Sequence, residues 1–381
     1  MVASNAAEEA ARDLLARTIT AGTGRRSQMK IDMDLQSMGA TLTAGTTEDA
    51  FVITGSVPSG RMTEFLALLS EIVRTATFPD GPVRVERNRL AEEVVLARSQ
   101  PGVIAEEVFR RRMFGRHPYG LGLPSPSTVR RVTGAGLRTL HGRLTSSGMM
   151  TVVGDLSPLR LLDAIASERW IRRRKPSRVP PIGVRTRRPL LVVHREGAQQ
   201  TSIRMGGPAP AHDTAFGLAN LVFGGYFLSR LVTNLREEKG YTYSVHSQPQ
   251  HLAAGSSVTI AADVRTEVTG AAFAEILAEM EHQRAWSDEE IDSARRYAMG
   301  VLSIRAHTKA GLASLIDSLL ARGLDLAYLR TYLKEMRSVT PAEVRVAAST
   351  FLVPSLLTTV MVGDAERIVP QLERFGRVAV R

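Results

Sequence analysis

Apolar residues recur along this chain at two spacings. In "DAFVITGSV" (49–57) and "SSVTIAADV" (256–264) they alternate with polar ones, with β-branched side chains at period two, which predicts strands. In "GRMTEFLALLSEIVRTA" (60–76) and "VTGAAFAEILAEMEHQRA" (268–285) they fall on one face of a 3.6-residue turn, which predicts long amphipathic helices. Strands and helices gather in separate runs instead of strictly alternating. That order predicts α+β halves, each a largely antiparallel sheet with helices on one face.

The pattern occurs twice. "MTVVGDLSPLRLLDAI" (150–165) is echoed by "TVMVGDAERIVPQLER" (359–374), each a closing β-run ending in Gly-Asp. "VTGAGLRTLHGRL" (132–144) is echoed by "VTPAEVRVAASTF" (339–351), and residues 78–102 by 286–311. All three pairs share an offset of about 208 residues in the same order, which implies a duplicated domain. The halves differ at the front. The second opens with "RPLLVVHREGAQQTSIRMGGPAP" (188–210), a strand, a turn and a strand, whereas the first begins at a helix, "AAEEAARDLLARTITAG" (6–22). Half one is therefore expected to have a smaller sheet with an exposed edge, covered by a partner segment unless Met1 is a late start.

A length of 381 residues suits two domains: 1–170, a basic Pro-rich linker at 171–189, and 190–381. The net charge of +11 is mostly local. The linker holds Arg172, Arg173, Arg174, Lys175, Arg178, Arg185, Arg187 and Arg188, and removing those eight charges takes +11 to +3. Four prolines in the same stretch favour a solvated connection over a nucleic-acid surface. No run approaches the ~18 apolar residues of a membrane span. The N-terminus lacks the basic-then-apolar order of a secretory signal. The absence of Cys excludes disulfides and thiolate metal sites and is compatible with a cytoplasmic location.

"LREEKGYTYSVHS" (235–247) places Arg236 seven residues before Tyr243, across a helix end and a strand start, with Gly240 between. Both side chains are hydrogen-bond donors. Tyr241 shares the strand parity of Tyr243 and is expected on the same side. The bland alternative pairs Arg236 with Glu237 or Glu238 and leaves Tyr243 as an ordinary strand aromatic. No two of the eight histidines (His117, His141, His194, His212, His246, His251, His282, His307) stand four apart on a helix. "AGTGRRS" lacks the spacing of a phosphate loop.

The stretch "GGYFLSRLVTNLREEKGYTYSVHS" (224–247) resembles the C-terminal-domain signature of the insulinase, pitrilysin and mitochondrial-processing-peptidase family. "SMGATLTAGTTEDAFVITGSV", "ERNRLAEEVVLARSQP", "RRMFGRHPYG" and "VVGDLSP" resemble its first half, in order. The resemblance implies two α/β-sandwich halves forming a clam-shell subunit, two of which close around an unfolded peptide. It also implies a zinc site, H-x-x-E-H on the first helix with a later glutamate. Here that motif falls on "DLLAR", with Asp13 and Arg17 at the histidines and Ala16 at the glutamate. Arg17 cannot shed a proton to ligate zinc and Ala16 cannot be a base. Glu93, with Glu86 two turns earlier, matches the third-ligand region and is expected as solvated helix charge.

The resemblance thus implies a zinc-less, non-catalytic subunit of a heterodimeric zinc metallopeptidase, inert alone. Its homologous partner would carry H-x-x-E-H and the zinc, so no cofactor is expected on this chain. Arg236 and Tyr243 would bind the substrate, a peptide or small unfolded protein lying extended against a sheet edge such as residues 39–57. Rival readings are a purely structural core-like subunit, or a binder of anionic surfaces or nucleic acid through the basic linker.

Overall fold

The computed structural model describes residues 2–146, 148–155, 157–167, 179–184, 186 and 189–381. All eight basic side chains of the expected linker, and the whole of its 171–178 part, lie outside the described residues. By its internal contacts the chain forms two compact units. One comprises Met1–Ala97, Leu123–Val179 and Thr308–Asp317, the other Arg98–Gly122, Pro180–His307 and Ser318–Arg381.

The first unit is mainly helical. Helix α1 (Ala6–Thr18) starts at Asn5, whose side chain accepts the Ala7 and Glu8 amides, as a capping residue does. Helices α2 (Gln28–Met38), α3 (Met62–Thr75) and α4 (Asp80–Arg98) follow. Leu14, Leu15, Ile31, Ile72, Leu90, Ala91 and Leu137 are buried together in one cluster. Strands β1 (Thr41–Thr46) and β2 (Phe51–Ser56) pair antiparallel as an isolated two-stranded sheet. Leu42, Ala44, Phe51 and Ile53 lay one face of that hairpin on the helical cluster.

The second unit contains a six-stranded sheet in the order β5-β6-β4-β7-β3-β8. Its strands are β3 (Leu190–His194), β4 (Gln200–Pro208), β5 (Thr242–Leu252), β6 (Gly255–Arg265), β7 (Thr358–Gly363) and β8 (Val378–Val380). β3 runs parallel to β7 and β8, and the remaining pairs are antiparallel. Ile203, Met205, Ile260, Ala262 and Met361 point from one face into the main core with helix Thr269–Glu281. Helix α5 (Pro101–Phe114), early in sequence, packs on β4 and β7 of this sheet. There Gly206 leaves room for the Phe109 ring, which a Cβ at that position would strike. β7 is consequently buried along its whole length.

The smaller sheet of half one follows as expected, but the deficit exceeds the two front strands. The closing β-run expected at 150–155 is not a strand. Its counterpart β7 is held between β4 and β3, which are the elements half one lacks. A strand-competent sequence with no neighbour to receive its hydrogen bonds stays irregular.

This difference is measurable. Met361→Ala, in fully buried β7, is expected to cost about 2–5 kcal/mol in urea unfolding. Val152→Ala, the matching position in half one, should fall within about 0.5 kcal/mol of the parent. Equal losses would mean that 150–155 is a paired strand in solution.

Candidate functional site

The signature stretch folds into two π-helical segments, Leu221–Gly225 and Val232–Glu238, followed by Gly240 and β5. π-helical turns are rare and concentrate at functional sites, because each leaves a local irregularity that the surroundings must support. Here the support is ionic. Arg230 Nε donates to Glu279 Oε2 at 2.6 Å and Nη1 to Glu290 Oε1 at 2.8 Å. Asn234 Nδ2 donates to Glu279 Oε1 at 2.9 Å and to Glu275 Oε2 at 3.0 Å, and Lys239 pairs with Glu275. Burial disfavours the Arg230 charge, but the two carboxylates outweigh it and raise its pKa. Asn220 and Ser247 exchange hydrogen bonds of 3.0 and 2.6 Å, tying the first π segment to β5. Gly224 permits that approach, since a Cβ there would lie 2.8 Å from Ser247 Cβ.

Gly240 takes φ +60, the left-handed conformation that turns the helix end into β5. The turn is closed by the Tyr241 amide donating to Leu235 O at 2.8 Å. β5 then carries a bulge: Thr242 pairs with Val264 and Ser244 with Asp263, so Tyr243 has no partner. The Thr242 hydroxyl bridges the irregularity, donating to Asp263 O at 2.6 Å and accepting from the Ser244 amide at 3.0 Å. The bulge overturns the shared parity expected for the tyrosines. Tyr241 packs partly buried against the core, whereas Tyr243 stands 91% exposed. One inserted residue re-aims the side chain, which is what bulges near functional sites do.

Arg236 lies on the second π segment. Its guanidinium sits 5.0 Å from the centroid of the Phe227 ring and its Nε 3.2 Å from Glu237 Oε1. Phe227 and Leu228, between the two π segments, are themselves exposed. Phe227, Arg230, Asn234 and Glu279 also belong to this region, and no motif in the sequence marks them. The available signal was Glu275 and Glu279, four apart on a largely apolar helix, which marks carboxylates turned toward a partner.

The zinc position reads differently from a solvated helix face. Arg17 Nη1 donates to Glu93 Oε1 at 3.2 Å and Nη2 to Glu93 Oε2 at 2.7 Å, a two-pronged pair between α1 and α4. Glu86 Oε2 is 3.9 Å from the same guanidinium. The hydrogen bond to Arg17 holds Glu93 below its usual pKa, and that to Glu93 raises the pKa of Arg17. These residues do not fit a zinc ion, because a permanently protonated guanidinium occupies the carboxylate that would bind it. Among the described residues no group of three or more His, Asp or Glu side chains could hold a metal. His117 packs on Tyr119 with its Nε2 2.8 Å from Pro180 O. His251 stacks on His212, and burial, with Arg322 and His212 adding to it, pushes its pKa to about 4. No described helix is long and apolar enough to cross a membrane.

The chain is thus an α+β protein of two compact units, with Arg17 forked onto Glu93 between α1 and α4 of the first. Residues 10–127 match the family model "Insulinase (Peptidase family M16)" and residues 149–297 match "Peptidase M16 inactive domain". The chain belongs to this M16 insulinase-like family. It is 26% identical over 238 residues to an uncharacterized zinc protease of Mycobacterium tuberculosis, covering 59% of this chain and 54% of that protein. The chain thus spans about half the length of the mycobacterial relatives it matches. A Helicobacter pylori protein named a non-peptidase homolog is 19% identical over 345 residues, 87% of this chain and 79% of that one. In fold it is similar to an M16 inactive domain from Pseudomonas fluorescens, with TM-score 0.83, 19% identity, and coverage of 95% and 91%.

The ionic support can be tested directly. Glu279→Ala should lower unfolding stability by about 1.5–3 kcal/mol, the range for hydrogen bonds to charged groups. Glu281→Ala, exposed on the same helix, should stay within about 0.5 kcal/mol. Matching effects at the two positions would remove the network from the account.

Proposed function

We propose that this chain is the non-catalytic subunit of a heterodimeric zinc peptidase, contributing Arg236 and Tyr243 to a homologous partner that carries H-x-x-E-H. The substrate is a peptide or small unfolded protein held in extended form, with the edge of the β1–β2 hairpin available for backbone pairing. The observation that carries this reading is Tyr243, displaced from the strand ladder by a bulge and 91% exposed. An ordinary strand aromatic packs on its sheet; this one is presented to solvent beside a buttressed π-helical segment bearing Arg236. Membership of the M16 family and the match to its inactive-domain model support a role without metal chemistry on this chain.

A purely structural subunit is the second reading. The pair between Arg236 and Glu237, neighbours in sequence, favours it, since it gives the guanidinium a partner of its own.

The two readings separate in a reconstituted complex. Arg236→Ala or Tyr243→Phe should leave folding and assembly intact and cut turnover roughly 100- to 1000-fold, the effect of losing one donor at a developing oxyanion. A surface ion pair is worth about 0–1 kcal/mol and would be nearly silent in the same assay. Near-parental turnover in both variants, with an H-x-x-E-H partner, would leave the structural reading in place.

A further inference from the structure

Four aromatic rings of the second unit, none used in the proposed function, form a ladder. His212 lies in the connection between β4 and helix Thr214–Asn220, His251 near the end of β5, and Tyr328 and Tyr332 on helix Leu326–Ser338. His251 stacks on His212 at 5.4 Å between centroids, His212 meets Tyr328 edge-on at 5.6 Å, and Tyr328 stacks on Tyr332 at 6.3 Å. His212 sits in it at φ +56, a left-handed conformation that costs a non-glycine residue energy and that the packing around it must maintain.

What the ladder leaves unmet is polar. His251 Nδ1 is 3.0 Å from Ser256 Oγ, and Arg322 Nε donates to Ser318 O at 2.8 Å. Among the described residues, the remaining nitrogens of His251 and Arg322, and both of His212, meet no hydrogen-bond or ion-pair partner. All three side chains are half-buried. Burial lowers the pKa of both imidazoles and the Arg322 charge lowers it further, with no carboxylate to counter it. The nearby acids are engaged elsewhere. Asp213 caps helix Thr214–Asn220 through the Phe216 amide, and Glu335 accepts from Thr214 Oγ1 at 2.6 Å. Their charges reach Tyr328 but not the imidazoles. A guanidinium in the cluster repels a metal ion, and the two histidines find no third ligand among the described residues.

We propose that Arg322, His212 and His251 form a binding site for a tetrahedral oxyanion, phosphate or sulfate in class, free or as the end of a larger ligand. The guanidinium fork offers parallel donors to two of its oxygens, and each imidazole, once protonated, offers an N–H to another. The anion supplies the countercharge that the protein lacks here, so its binding and the protonation of the histidines promote each other. Affinity therefore rises as pH falls. The site needs no partner subunit, and its failure would leave the proposed roles of Arg236 and Tyr243 untouched.

The test uses the purified full chain, labelled with carbon-13 histidine, in a buffer free of multivalent anions. Sulfate is the first probe, because it does not titrate across the range in which histidines do, roughly pH 5 to 8. The His212 and His251 resonances, assigned by their loss in His212→Gln and His251→Gln, should shift with sulfate while those of the other histidines stay. Both should protonate at higher pH when the anion is present. Arg322→Ala should weaken sulfate binding roughly tenfold or more, the loss expected for hydrogen bonds to a charged donor. Arg322→Gln, which keeps the length without the charge, should show the same loss. Arg330→Ala, exposed on helix Leu326–Ser338, should bind as the parent does. Without any anion, Arg322→Ala should raise the pH at which both histidines protonate. Inorganic phosphate and glycerol 3-phosphate form the second arm: tighter binding of the ester supports a phosphorylated ligand, and equal binding supports the free ion. A folded parent whose His212 and His251 resonances ignore sulfate throughout that pH range would overturn the proposal. So would parental affinity in either Arg322 variant, or an equal loss in Arg330→Ala.

Discussion

A strand can lie inside a sheet only if a strand exists on each side of it to receive its hydrogen bonds. Most of the difference between the two halves of this sequence follows from that constraint. In the second unit β4 is available, so β6 and β7 can pair with its two edges, and β3 then gives β7 its other neighbour. Once both edges of β7 are filled, its two faces can be covered, by the main core on one side and α5 on the other. Half one has counterparts of β5 and β6 but none of β3 and β4. The hairpin β1–β2 survives, and the closing β-run has nothing to join.

An isolated hairpin is marginal in water, and β1–β2 persists because a helical core receives one of its faces. Gly55 lets the Phe65 ring of α3 come against the strand where a Cβ would collide with it. The first unit is consequently a helical assembly carrying a hairpin. Its coherence rests on how its helices are joined, which gives weight to a charged tie between α1 and α4. The second unit has the reverse economy. Its sheet has four strands paired on both sides, and its irregular features, the π-helical segments and the bulge, are exceptions that the sheet and the Arg230–Glu279–Asn234 network can support.

Much of this was legible in the chain. Period-two runs located β2 and β6, the 3.6-residue pattern located α3 and helix Thr269–Glu281, and the repeated Val-Thr starts became helices capped by Thr133 and Thr340. What failed did so where long-range pairing overrides local preference. "MTVVGD" has the same local propensity as "TVMVGD", and only the presence of neighbours decides between coil and strand. Tyr241 and Tyr243 share a parity until a bulge shifts it, and the bulge is set by pairing with β6. Glu93 looked like a solvated charge because its partner, Arg17, is 76 residues away in the sequence.

Arg17 and Arg236 both have a carboxylate within reach, yet their circumstances are physically opposed. Arg17 meets Glu93 across two helices through two hydrogen bonds, with a second carboxylate behind, and its side chain is 30% exposed. Its two charge-assisted bonds join side chains from α1 and α4. Arg236 meets the adjacent residue, Glu237, through one contact with both side chains well exposed, at 40% and 53%. Such a pair is worth about 0–1 kcal/mol, and an exposed stack on an aromatic ring adds about 0.5–1 kcal/mol. A peptide carbonyl offering one good hydrogen bond to a charged donor, worth about 1.5–3 kcal/mol, can compete with those contacts. The ring of Phe227 can stay under the guanidinium while it changes partner, so the stack orients Arg236 without consuming its donors. One arginine of this chain thus bridges two helices, and the other pairs only with its neighbour in sequence.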